Sequence, residues 1–152
     1  MIEFANADFA RFACALDEGI VPSSSNAFEL VFDDDLTVAV VLHPNQKRVL
    51  SELFVCDAAR LTGPMRRAVV HALLAMNHVG LLGRRFVCGL DSRSFVTLVG
   101  EIGLEDLDAI KYANHLNYLL RQARRVRELV RNLSMQGAGF SFALQPAVGG
   151  AQ

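Results

Sequence analysis

From Met65 to Asn77 the chain reads Met-Arg-Arg-Ala-Val-Val-His-Ala-Leu-Leu-Ala-Met-Asn, a helical stretch that is almost wholly apolar. On a 100° wheel, Met65, Ala68, Val69, Ala72, Leu73, Ala75, Met76 and Val79 form one broad stripe, with Val70 and Leu74 on the far side. Pro64 stands where a first helical turn accepts proline. One small sheet cannot cover two apolar faces. The pattern predicts a helix held between a sheet and a second subunit, and it points to a binding protein rather than an enzyme.

The elements around this helix predict an α+β chain. Residues 3–17 are predicted helical, because Ile2, Ala5, Phe9, Phe12 and Leu16 fall within one arc while Phe4 lies off it. Gly19 ends that helix, and residues 22–26 read as a loop. Three strands follow as an antiparallel meander. Residues 27–32 alternate, with Phe28, Leu30 and Phe32 on one face; residues 36–42 are apolar on both faces and so central; residues 48–56 make the third. Asp33-Asp-Asp35 and Pro44-Asn45 supply the turns. After the apolar helix and a Gly80-Leu-Leu-Gly83 turn, residues 85–90 and 95–100 form a hairpin.

The last helix is predicted to start near Leu104-Glu-Asp106, whose acids suit a helix N-terminus. Its stripe of Ala109, Tyr112, Leu116, Leu119, Ala123, Val126, Val130 and Leu133 steps by three and four residues and faces a single groove. Residues 1–133 therefore read as one domain. Residues 134–152, rich in glycine and alanine, read as a disordered tail.

A net charge of −1 gives no overall pull towards nucleic acid or membrane. The first 35 residues are acidic, whereas basic residues predominate from Arg60 to Arg131. Three scattered cysteines, Cys14, Cys56 and Cys88, fit a reducing compartment. The N-terminus has no secretory pattern, and no apolar run is long enough to span a bilayer, so a cytoplasmic protein without membrane insertion is expected.

Chemistry finds little foothold. His71 and His78 lie seven residues apart, roughly 10 Å along a helix, too far to share an ion without further ligands. Cys56 and Cys88 lack the neighbours of a nucleophile, and no phosphate-binding or Gly-x-Ser-x-Gly loop occurs. Asp33-Asp-Asp35 is explained by its turn. The cluster Arg121, Arg124, Arg125, Arg127 and Arg131 reads first as a solvated helix face, second as a seat for an acidic protein, and only third as a grip on nucleic acid. No catalytic residue, metal or cofactor is expected.

The order helix, three strands, helix, two strands, helix resembles that of the type III secretion chaperones. Ala72-Leu-Leu-Ala-Met-Asn77, Gly89-Leu-Asp91, Phe95-Val-Thr-Leu-Val99 and Leu104-Glu-Asp-Leu-Asp-Ala-Ile110 carry the resemblance, over about residues 3–133. Within that family it resembles the small class I kind typified by the intimin-receptor chaperone. The resemblance implies an antiparallel sheet packed by helices and a homodimer in the bacterial cytoplasm. It implies that the N-terminal segment of one or more effectors is bound extended, and so kept soluble and competent for secretion. It implies a dimer interface along the second helix, at Val69, Val70, Leu73, Leu74 and Asn77. It also implies effector grooves on the first helix and sheet, at Phe9, Phe12, Phe28, Leu30, Phe32, Val49, Leu53 and Phe54. The arginine-rich last helix and a pI of about 6.4 depart from the acidic habit of the family. They leave a second reading open, a regulatory adaptor of the secretion system that binds a transcription factor or the export ATPase.

Overall fold

A computed structural model describes residues 1–43, 45, 47–80 and 86–143. Three helices, α1 (Ala7–Leu16), α2 (Gly63–Gly80) and α3 (Ala109–Ala143), combine with six strands. The strands are β1 (Pro22–Ser24), β2 (Ala27–Val31), β3 (Thr37–His43), β4 (Arg48–Asp57), β5 (Phe86–Leu90) and β6 (Phe95–Gly103). They form one antiparallel sheet in the order β1-β2-β3-β4-β6-β5. The fold is therefore α+β in the order the sequence predicts, with β1 added where a loop is expected. Strand β1 is three residues long and joins β2 through an irregular register, which is why no alternation marks it. The turn predicted over 80–83 lies mostly outside the described residues, as do Pro44 and Arg85.

Alternation decides which sheet face is core. In β3, Val38, Val40 and Leu42 are buried, and in β4 Val49, Ser51, Leu53 and Val55. Register pairs them as Val38 with Leu53, Val40 with Ser51 and Leu42 with Val49, so all seven share one face. Helices α1 and α3 close that face. The opposite face presents half-buried Ala39, Val41, Leu50, Phe54 and Val99 interleaved with Glu29, Glu52 and Glu101.

Helix α1 begins at Ala7, later than predicted, because Asn6 caps it by accepting from the backbone N–H groups of Asp8 (2.9 Å) and Phe9 (3.0 Å). Phe4 therefore precedes the helix and escapes the wheel that puts it off the apolar arc. Its ring meets Phe9 and Phe28 edge-on, at 5.2 and 6.0 Å between centroids. Helix α3 begins at Ala109, where the Asp108 carboxylate accepts from Lys111 N–H at 2.7 Å. Leu104–Asp106 forms a separate 3-10 turn instead of the helix start. At its far end α3 continues past Leu133 to Ala143, since no proline interrupts the chain there. The first part of the predicted tail is thus helical, and residues 144–152 lie outside the described residues.

The predicted stripe on α3 is the buried one: Tyr112, Leu116, Leu119, Ala123, Val126 and Val130 all lie in the core. Two small residues let α3 approach the sheet closely. Ser51 and Gly100 are register partners on β4 and β6. Ser51 exchanges a 2.7 Å hydrogen bond with the buried Tyr112 hydroxyl. A side chain on Gly100 would meet the Leu119 methyls at 2.7 Å.

Burial pushes the Tyr112 phenol up to about 12, against the opposing effect of its hydrogen bond to Ser51. The folded chain holds this proton at a pH where the unfolded chain, with an ordinary tyrosine near 10, releases it. The associated stability is complete below about pH 10 and is lost as pH rises towards 12. Urea denaturation is expected to show a loss of about 2 kcal/mol between pH 9 and about 11.5 that Tyr112→Phe does not share.

Two of the five arginines on α3 bond to other parts of the chain. Arg124 pairs with Asp34 at 2.8 Å, and its hydrogen bond lowers the pKa of that carboxyl below the ordinary range. Arg127 donates to the carbonyls of Val55 and Asp34, each at 2.9 Å. Together they fasten the β2–β3 turn to α3. The three aspartates form that turn, as the sequence predicts, with Asp35 in the left-handed region at φ 59°.

Candidate functional site

At one end of the molecule, α1 and the β6–α3 connection stand apart and leave an open cleft of about 750 Å³. Its apolar lining comes from Phe12 and Ala15 of α1, Leu42 at the end of β3, and Leu104 and Leu107 of the connection. Phe12 and Leu42 are buried, Leu104 and Leu107 half-buried, and Ala15 exposed, so apolar surface runs from the core out to solvent. The connection is held in place by the Leu104 N–H, which donates to the Lys47 carbonyl at 2.8 Å.

The rim is charged with both signs. Asp8 pairs with Arg11 one turn along α1, Lys47 with Glu105 at 3.5 Å, and Lys111 with Asp108 at 3.7 Å. All of these pairs are exposed, so each contributes at most about 1 kcal/mol to stability. A cleft of this size with an apolar floor and a polar edge suits one or two side chains of a passing chain. Among the described residues no cluster of His, Cys, Asp and Glu could hold a metal. Cys14 is exposed, Cys56 half-buried and Cys88 buried; burial raises the Cys56 thiol, away from a reactive thiolate.

The eight residues assigned to effector grooves are not brought together at the surface. Phe9, Phe12, Phe28, Val49 and Leu53 lie within the chain's own core, because the last three are on the sheet face that α1 and α3 cover and the first two are on the side of α1 that covers it. Leu30 and Phe32 are half-buried and pack against that core. Phe54 lies on the opposite face, where Phe95 meets it edge-on at 6.5 Å and the Arg93 guanidinium sits 5.5 Å from its ring centre. Phe12 alone lines the cleft. Ala15, Lys47, Leu104, Glu105 and Leu107 escape sequence reasoning, since the cleft exists only once three distant segments meet.

Helix α2 divides the interface residues in the same way. Val69 and Leu73 point inward and are buried. Asn77 is committed to β5: its amide donates to the Cys88 carbonyl at 2.7 Å and accepts from the Cys88 N–H at 2.8 Å. This amide seals the outer edge of β5 at Cys88, where an unpaired backbone would otherwise face out. Val70 is half-buried, and Leu74 is 59% exposed. Val87 on β5 is also exposed. The outward apolar surface is therefore narrower than the wheel suggests.

Among the described residues no helix is long and apolar enough to cross a membrane. No protein-family model matches the sequence, and no curated protein matches it. Solved structures do. A chain of the ExsC–ExsE complex aligns with TM-score 0.62 at 23% identity, over 81% of this chain and 90% of that one. A chain of the HopA1–SchA chaperone–effector complex gives 0.61 at 15% identity, over 82% and 98%. A third match, at 0.58 and 16% identity over 79% and 97%, comes from the Yersinia pestis type III secretion chaperone SycH in complex with a stable fragment of YscM2. The fold is that of the type III secretion chaperones.

Proposed function

We propose that this protein is a type III secretion chaperone. It acts as a homodimer and holds the N-terminal segment of one or more effectors in an extended state. The observation that carries the reading is the shared fold: the similar structures are complexes with a partner protein, and two of them are chaperone complexes. The cleft supports it, because a floor of separate apolar side chains takes anchors from an unfolded segment rather than a folded surface. That feature favours a chaperone over the regulatory adaptor.

The anchor site is assigned to Phe12, whose edge reaches the cleft floor, and to Ala15, Leu104 and Leu107, in place of the other groove residues. Strand addition would fall to the β1 edge, since the amide of Asn77 occupies the β5 edge at Cys88. The dimer seam is assigned to the outward face of α2, at Val70 and Leu74. Neither catalysis nor a cofactor enters this function.

Co-expression with candidate exported proteins of the same bacterium tests the reading. An N-terminal effector segment is expected to co-purify with the chaperone and to resist a protease that destroys it when free. Ala15→Trp fills the cleft from an exposed position and is expected to weaken that binding at least about tenfold without lowering stability. A partner bound only through a folded domain, or binding indifferent to Ala15→Trp, would remove the chaperone reading or the cleft from it, respectively.

A further inference from the structure

The outward face of α2 is basic, and this bears on the proposed dimer, on which the following inference rests. Arg67, His71, Leu74 and His78 succeed one another at intervals of four, three and four residues, so they form one stripe. All four are exposed. Helix α2 contains no carboxylate. Of its remaining charged residues, Arg66 is turned to the Ser94 hydroxyl at 2.6 Å.

The elements packed against α2 supply no carboxylate to offset the stripe. These are β5 and α3. Strand β5 has no charged residue. Asp91, just after it, is taken up by the Arg93 guanidinium at 3.2 Å and by the N–H groups of Arg93 and Phe95. Helix α3 meets β5 through Tyr118, whose ring lies 6.1 Å from that of Phe86. The charged residues within about 60° of Tyr118 on α3 are Arg121, Arg125 and Lys111, the last of which already pairs with Asp108. The one carboxylate on α3, Glu128, lies about 80° round the helix from Tyr118.

We propose that the α2 seam is a pH-sensitive joint, in which protonation of His71 and His78 drives the two copies apart. A two-fold interface sets the same patch of each copy against its twin, so histidine stripe meets histidine stripe. Neutral imidazoles pack beside Leu74 and Ala75. Imidazole side chains gain charge between about pH 8 and 5. Protonated, they place four further positive charges beside the two Arg67 side chains, in a seam where α2 and β5 offer no negative charge. Like charges so juxtaposed oppose association, and salt relieves them.

Light scattering of the full chain at pH 8 and pH 5.5 tests this, with circular dichroism to check that the fold persists. The dimer dissociation constant is expected to rise at least about tenfold at pH 5.5 and to recover in about 0.5 M salt. The His71→Gln/His78→Gln double variant is expected to dimerise equally at both pH values. An unchanged dissociation constant in the parent chain, or continued acid dissociation in the double variant, would overturn the pH proposal while leaving the dimer. A chain monomeric at both pH values would overturn the dimer itself.

Discussion

Phe28→Asp is expected to yield no folded protein, and Phe28→Ala to lower the free energy of unfolding by about 3–5 kcal/mol. Phe28 on β2 is fully buried, and its ring contacts those of Phe4, Phe9 and Phe12 at 6.0, 5.6 and 6.2 Å. This cluster is what fixes α1 to the sheet. Removing its central ring leaves a cavity lined by three others, and a domain of ordinary stability has only about 5–15 kcal/mol to lose. An aspartate there would be a buried charge without a partner. Had Phe28 belonged to an effector groove, as the resemblance to the secretion chaperones implies, both variants would fold and fail only in binding. Urea denaturation followed by circular dichroism separates the two. A folded Phe28→Asp with native stability would mean that the aromatic cluster does not hold α1.

Periodicity made the elements legible, because it is a local property. The α3 stripe from Tyr112 to Val130 and the alternation in β4 follow from spacing alone. The side of the sheet that is core is a different matter. Strands β3 and β4 are apolar on both faces, with Ala39, Val41, Leu50 and Phe54 behind Val38, Val40, Val49 and Leu53, so alternation names two faces without choosing between them. The choice is made by α1 and α3, which arrive from opposite ends of the chain. The same distance hides the cleft, whose lining spans residues 6–109. It also hides the arginine fastening, which joins Arg124 and Arg127 to a turn some ninety residues earlier. Gly100 shows the limit most sharply. From sequence it is one more strand-end glycine, yet its lack of a side chain is what admits Leu119.

Leu73→Arg and Leu74→Arg, one residue apart, are expected to fail in opposite ways. Leu73 is 3% exposed and Leu74 59% exposed, on the inner and outer sides of α2. An arginine at 73 must enter the core beside Val69 without a carboxylate on its helix, so Leu73→Arg is expected to be insoluble or unfolded. An arginine at 74 reaches solvent in the single chain and should leave its melting temperature within a few degrees of the parent. In the proposed dimer, however, two-fold symmetry brings both copies of that arginine into a seam that already carries Arg67 and loses its exposed leucine. The dimer dissociation constant at pH 8 is then expected to rise about 100-fold, equivalent to about 2.7 kcal/mol. Light scattering over a concentration series, paired with thermal unfolding, reads both quantities. A folded Leu74→Arg that remains dimeric at micromolar concentration would move the seam off α2, because no two-fold packing of this helix face can seat two added cations at no cost.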